Sequence, residues 1–328
     1  MLLNVQNLNI DIATATGTLS AVQDVSFSVS KGETLCIVGE SGCGKSITAL
    51  SLLGLLPKAA TRTARQLTFG GVDMQRISKS ELRALRGNRM SMIFQEPMTA
   101  LNPLHRVGRQ LSDVYRAHRN ASRGEAKERA IYLLEQVGIA NAAQRLNQYP
   151  HELSGGLRQR VVIAMALMCE PELIVADEPT TALDVTIQAE LLRLLIDLQK
   201  KFGMGLIMIT HDLGLVSRIA DRVIVMYAGQ VVETAPAAEL FTNPSHPYTR
   251  ALLSSVPDPS HPRMKPLPSI SGTVPSLLNR MEGCHFFDRC PLACEACRKP
   301  VQLEKIDSDH EARCIRIGEG EFRRKVVA

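Results

Sequence analysis

Residues Gly39-Glu40-Ser41-Gly42-Cys43-Gly44-Lys45-Ser46 match G-x-x-x-x-G-K-[ST], and Leu153-Ser154-Gly155-Gly156-Leu157-Arg158-Gln159 opens a second glycine-rich helix start further along the chain. Glycines in such loops let backbone N–H groups approach phosphates, and the positive end of the following helix adds to the attraction. In the first loop Lys45 supplies a fixed charge for the β and γ phosphates of a nucleotide. Ser46 places a hydroxyl where it can bind Mg²⁺, whose own charge neutralises phosphate oxygens during transfer. Two phosphate grips on one chain point to a nucleotide held between two chains.

Four further positions complete a hydrolytic chemistry. Asp177 ends the apolar run Leu173-Ile-Val-Ala and should face the metal, while Glu178, one residue farther out and followed by Pro179, is placed to polarise the attacking water. His211 follows the run Leu206-Ile-Met-Ile-Thr210, at the carboxyl edge of a sheet where ligands bind, which suits contact with a γ-phosphate. Gln95, after a strand-like run ending Ile93-Phe94, carries an amide able to reach both Mg²⁺ and water.

These groups need a scaffold, and the apolar pattern predicts one. Alternation around Leu3 to Ile12 and Val22 to Val29 predicts half-buried antiparallel strands, and Thr34 to Gly39 a short buried strand feeding the glycine loop. Lys45 to Leu55 has helical spacing, the strand-loop-helix context that the loop requires. Two helices are expected between Val107 and Val137, interrupted at Asn120-Ala-Ser-Arg-Gly, with the helical segment ending at Tyr149-Pro150. Leu173 to Asp177, Leu206 to Thr210 and Val223 to Tyr227 read as strands of a parallel sheet. A proline-rich tract from Asn243-Pro-Ser-His-Pro through Pro257, Pro259, Pro262, Pro266, Pro268 and Pro275 marks a boundary, and a small cysteine-rich domain is expected after it.

At 328 residues with 45% hydrophobic side chains the chain has room for about two domains, and it lacks an apolar run near the roughly 18 residues that span a bilayer. Its first residues show neither a signal peptide nor a transit peptide, so the expected site is the cytoplasm, with any membrane role peripheral. A formal charge of +5, spread without a long basic run, gives no reason to expect a nucleic-acid partner. Eight cysteines in such a chain read as thiols, metal ligands or redox groups. Cys36, Cys43 and Cys169 are expected to be packing or loop residues, and Cys43, inside the phosphate loop, to make the loop's function sensitive to thiol oxidation.

Taken in order, these segments resemble the ATP-binding cassette family over about residues 3 to 250. The resemblance implies an α/β P-loop ATPase core with an antiparallel β subdomain and an α-helical subdomain at about 98–165. It makes Gly39 to Ser46 the Walker A loop, Gln95 the Q-loop, Ser154 to Gln159 the signature, Asp177 and Glu178 Walker B, Asp184 the D-loop aspartate and His211 the switch histidine. It also implies a head-to-tail dimer in which Ser154 and the Gly155 and Gly156 amides reach the nucleotide of the opposite chain, and in which the region 98–150 passes motion to a membrane partner. One departure is that such cassettes usually stack an aromatic ring of the first strand on adenine, where this chain has Ile10-Asp11-Ile12-Ala13. Weak discrimination between ATP and GTP is therefore expected.

The tail narrows the resemblance. Asn243-Pro244-Ser245-His246-Pro247-Tyr248-Thr249 and the cysteines Cys284, Cys290, Cys297 and Cys314 resemble those of the dipeptide, oligopeptide and nickel importer ATPases, nearest to the dipeptide-type D subunit. The division implied is a cassette over 1–245 and a C-terminal domain over 246–328. The partners implied are a paralogous F-type ATPase subunit, or else a second copy, two membrane permeases and an extracytoplasmic solute-binding protein. The four cysteines could hold a 4Fe-4S cluster, with Arg289 and Arg313 offsetting its charge, or Zn²⁺, for which Cys294-x-x-Cys297 gives a short spacing; free thiols are the third reading. The transported solute, whether peptide, nickel chelate or opine-like conjugate, is not written in this chain. A soluble cassette ATPase without a membrane partner is the rival function.

Overall fold

The computed structural model describes residues 1–95, 100–180, 184–256, 269–278 and 282–317. The expected positions Glu96 and Pro97 and most of the proline tract, Pro257 to Pro268, lie outside the described residues. Contacts divide the chain into two compact units. One comprises Met1–Leu3, Val29–Glu33 and Phe69–Met208, and the other Asn4–Ser28, Thr34–Thr68 and Ile209–Ala328.

In the first unit β7 (Met90–Ile93) lies parallel to β8 (Leu173–Asp177), with β9 (Gly205–Ile209) on the other side of β8. All five residues of β8 and of β9 are buried, as strands covered on both faces must be. The same unit holds helices α3 (Val107–His118), α4 (Arg123–Gln136), α5 (Ala142–Arg145), α6 (Gly155–Ala166) and α7 (Val185–Phe202); α6 packs on β7, and α3 and α4 pack on each other and on α6. The expected break between α3 and α4 is there, and its physical cause is a capping box. Ser122 accepts from the Glu125 N–H while Glu125 accepts from the Ser122 N–H, so Arg123 and Gly124 begin a helix instead of ending a loop.

In the second unit β1 (Leu3–Thr14) sits between β2 (Gly17–Val29) and β5 (Gln66–Phe69), and β4 (Ala60–Thr63) pairs antiparallel with β1. A second layer runs in the order β12 (Glu304–Lys305), β13 (Glu311–Ala312), β11 (Gln230–Pro236), β10 (Arg222–Tyr227), β3 (Thr34–Val38). β10 is parallel to β3, as the sequence suggested, but antiparallel to β11. The two are joined by Ala228 and Gly229, both at positive φ, 42° and 83°, the combination a two-residue hairpin favours. The helix expected from Lys45 to Leu55 stops as α1 at Leu52. Gly54, at φ 62°, turns the chain there. Two smaller helices, α8 (Leu213–Ile219) and α10 (Pro247–Ser254), belong to this unit. Among the described residues no helix is long and apolar enough to cross a membrane.

Candidate nucleotide site and cysteine pocket

β3, buried at every position, delivers the chain to Gly39, and α1 begins at Lys45 with Gly44 as its N-cap and no side chain capping the helix. The backbone N–H groups of that first turn, uncapped by any side chain, lie where the motif led us to expect an anion site. Two glycines are required by close approach as well as by conformation. Gly44 stands at φ 103°, where an added Cβ would lie 2.6 Å from the Ala21 carbonyl, and one on Gly39, at φ 148°, would collide with the Met226 carbonyl of β10. Lys45, 5% exposed, donates to the Gly39 and Glu40 carbonyls at 2.8 and 2.9 Å, which folds the loop around its ammonium. Ser41, Gly42 and Ser46 are exposed.

Cys43 meets the expectation of a packing residue but not that of a reactive thiol. Its thiol is buried beneath the loop, 3.8 Å from Lys45 Nζ. Burial pushes its pKa up, and the nearby ammonium only partly opposes this. A buried, protonated thiol is a packing group, so the expected oxidation sensitivity has no support here. Cys36 and Cys169 are buried too, as anticipated.

In the first unit, strand register brings together two of the expected site residues. Because Ile93 opposes Ala176 across β7 and β8, the residues two places on, Gln95 and Glu178, emerge side by side, and Gln95 Nε2 donates to Glu178 Oε2 at 3.1 Å. Asp177 closes β8 and is buried. Glu178 has φ 45°, a left-handed conformation rare outside glycine and typical of sites where geometry is imposed. The amide of Gln159 donates to the Pro179 carbonyl at 2.5 Å. Gln159 is only 1% exposed, so the expectation that it contacts nucleotide is corrected: it braces the turn after Glu178 within its own chain. The signature keeps its exposed face at Ser154, which N-caps α6 and accepts from the Leu157 N–H, with Gly155 and Gly156 half-buried behind it. A Cβ on Gly156 would press against Ile187 of α7. Asp184, exposed, is the N-cap position of α7. In the second unit His211 is exposed between Thr210 and Asp212, whose carboxylate caps α8 through the Leu215 N–H at 3.0 Å.

Cys284, Cys290, Cys297 and Cys314 line one pocket with His246, Phe287, Leu292, Val301 and Arg316. Burial, reinforced by the neighbouring cysteines, pushes Cys284 and Cys314 up to about 11. A metal bound there must therefore displace protons. Among the described residues no three of these sulfurs gather within 4.8 Å of one another. The donor set, four thiols around an apolar hollow, has the chemistry to hold an iron–sulfur cluster or a zinc ion. Cys294 is not among the lining residues, although its sulfur is 3.7 Å from that of Cys297.

Of the two arginines expected to offset charge at the cysteines, Arg313 still feels Cys284, and both also have other partners. Arg289 pairs with Glu40 of the phosphate loop, and Arg313 donates to the Val231 and Val301 carbonyls and faces Asp24 at 3.7 Å. Sequence reasoning missed these contacts, and also Tyr248, whose hydroxyl accepts from the Glu40 N–H at 2.9 Å. No local pattern reports a contact across some 200 positions. The only available signal was the Asn243 to Thr249 motif itself, in which His246 Nδ1 accepts from the Tyr248 N–H at 3.1 Å and Pro247 starts α10.

Comparison with known proteins gives one answer. The ABC transporter family model matches residues 22–181, and that of the oligopeptide/dipeptide transporter C-terminal region matches residues 232–297. A probable peptide ABC transporter ATP-binding protein of Sinorhizobium fredii is 51% identical over 97% of this chain and 96% of its own. The dipeptide transport ATP-binding proteins DppD of Bacillus subtilis and Escherichia coli are 48% and 47% identical, each over 95% of this chain and over 93% and 96% of their own. Among solved structures, a dimeric ATP-binding cassette in a post-hydrolysis state with ADP and Pi shares 25% identity over 72% of this chain and 98% of its own, with a TM-score of 0.64. The cassette cbiO1 of Clostridium perfringens, part of an ABC transporter complex, shares 28% over 73% of this chain and 90% of its own, with a TM-score of 0.63. The loop, the signature and the cysteine-bearing tail thus occur together on one chain, which belongs to the ABC transporter family, in its branch of oligopeptide/dipeptide transporter ATP-binding proteins.

Proposed function

We propose that this chain is the motor of a peptide importer, converting ATP binding and hydrolysis into solute uptake. The observation that carries the reading is the phosphate loop, an uncapped helix start with a buried lysine folded into it. In this reading the Gly39 to Ser46 backbone and Lys45 hold the β and γ phosphates. Ser46, Gln95 and Asp177 would hold Mg²⁺, which supplies charge to the phosphate oxygens. Glu178, positioned by Gln95, polarises the attacking water, and His211 contacts the γ-phosphate. Ser154 and the Gly155 and Gly156 amides serve the nucleotide of the opposite subunit, and Asp184 lies at the same interface. Glu40 and Cys43 serve through their backbone, their side chains being committed elsewhere.

The assembly follows from the same reading: a cassette over 1–245 with a C-terminal extension over 246–328, docked on two membrane permeases at the cytoplasmic face of the inner membrane and fed by an extracytoplasmic solute-binding protein. The second cassette is a paralogous F-type subunit, or failing that a second copy. The relatives named for peptides support a di- or oligopeptide as the solute. Cys284, Cys290, Cys297 and Cys314 would hold a 4Fe-4S cluster, which would supply a covalent cross-link of the tail and an electron-accepting centre.

The decisive experiment is Glu178→Gln in the assembled transporter. Hydrolysis should fall by about 10²–10⁴ while ATP accumulates in a closed dimer. Turnover near the wild-type rate overturns the role of Glu178.

A further inference from the structure

Arg289 immediately precedes Cys290 in the tail, yet its guanidinium reaches back 249 positions to the phosphate loop. Nη1 donates to Glu40 Oε2 at 2.6 Å and Nη2 to Oε1 at 3.0 Å, the forked geometry that makes arginine–carboxylate pairs strong and directional. The remaining donors are also used: Nε donates to the Ser271 carbonyl at 2.8 Å, Nη2 to that of Ile270 at 3.2 Å, and Nη1 to the Tyr227 hydroxyl at 3.2 Å. The arginine side chain is 5% exposed and that of Glu40 27%.

Glu40 is therefore held twice, by Arg289 at its carboxylate and by the Tyr248 hydroxyl at its backbone N–H. The holders are themselves fixed. Tyr227, Tyr248 and Phe286 form a ring cluster with centroids 4.6 to 5.4 Å apart, and Phe286, three residues before Arg289, is 1% exposed. Glu40 directly follows Gly39, and its carbonyl, like that of Gly39, accepts from Lys45 Nζ. The chain of contacts runs without a gap from the tail through Glu40 to the lysine that grips phosphate.

We propose that Arg289 is a positioning residue for the phosphate loop, fixing Glu40 so that the loop holds its binding shape before nucleotide arrives. This rests on the reading of residues 39–46 as the ATP site. With the pair broken, the loop must be ordered by the nucleotide itself, so the loss falls on affinity and KM more than on kcat.

The test is titration of the full-length chain with a fluorescent ATP analogue, alongside KM and kcat, for Arg289→Met, Glu40→Gln, the double variant, Arg289→Lys and Lys45→Ala. Each single change at the pair should weaken binding by about tenfold, the scale of one charge-assisted hydrogen bond, with kcat at saturating ATP much less affected. The double variant should bind no worse than the weaker single one, and Arg289→Lys should recover only part, since an ammonium cannot form the fork. Unchanged affinity in Arg289→Met, or losses that simply add, overturns the proposal. If Arg289→Met does not fold, Glu40→Gln alone decides, and unchanged affinity there is equally fatal. Binding lost in Lys45→Ala but kept in both pair variants rejects the positioning role alone. Binding kept in Lys45→Ala rejects the loop as the ATP site.

Discussion

Glu178 is held in a left-handed conformation by neighbours on both sides. Gln95 takes its carboxylate, Pro179 restricts the chain after it, and the buried Gln159 amide anchors the Pro179 carbonyl. A backbone state of this kind costs of the order of 1–3 kcal/mol and persists only when the surroundings impose it. Here the imposing groups come from β7 and from the signature helix α6, so one carboxylate's direction depends on two segments that the sequence presents as separate motifs. Where the family resemblance leads one to expect adenine, the first strand offers no ring. The end of β1 carries Ile10, Asp11, Ile12 and Ala13, with Asp11 occupied by the Ser20 hydroxyl at 2.6 Å. A missing base–aromatic stack is worth about 1–3 kcal/mol on the scale known for bases on rings. ATP and GTP should therefore show affinities within about tenfold of each other in competition binding, and a strong preference for ATP would contradict this.

At the scale of elements, the strands that carry the site were legible because each is a short run of consecutive buried apolar residues followed by a residue with chemistry to do. β3 before Gly39 and β8 before Glu178 are examples, and β9 lies within one residue of its expected bounds. The signature was legible as a helix start because Ser154 caps it. What periodicity could not show is which groups meet across elements. Gln159 belongs to a recognisable motif, yet its burial depends on where the turn after β8 passes.

The tail's attachment to β11 is of the same kind. Glu233, fully buried in β11, accepts from the Ser245 and His246 N–H groups at 2.7 and 2.8 Å and pairs with His310 Nε2 at 2.8 Å. Burial works against a charged His310, but Glu233, Asp307 and Glu239 outweigh it and the histidine pKa is raised. A group whose folded pKa lies above its unfolded one contributes stability that is complete below the unfolded value, near 6.5, and is lost as pH rises through the folded one. The melting temperature of the wild type should thus exceed that of His310→Gln most at pH 6 and the gap should narrow towards pH 9. A gap that stays constant or widens with pH would count against a protonated His310.

Considered whole, the chain places its cysteine pocket and its phosphate loop in the same unit, with Phe286 and Arg289 lying between Cys284 and Cys290 in sequence. The pocket's composition was readable from five cysteines crowded between residues 284 and 314, but the further partners of the arginines beside it were not: Arg289 reaches Glu40 and Arg313 faces Asp24. Anaerobically purified protein should contain about four irons and four acid-labile sulfides per chain with a visible absorption band, lost in Cys290→Ser. One zinc instead would make the pocket a structural clip, and absence of both metals would remove the cluster.

The attachment of β13 to β11, Glu233 opposite Ala312 and Thr234 opposite Glu311, places the tail's strands at the border of the layer. β11 is seven residues long, and its Val231, Val232 and Ala235 are buried. Left bare, it would offer a row of unpaired amides and carbonyls to any passing strand. β13 covers part of that row, and β12 beyond it is only two residues long and carries Glu304 and Lys305, a border too short and too charged to recruit another chain. The extension thus doubles as protection against aggregation, and a cassette trimmed of it for convenience would expose the strand most prone to join its neighbours.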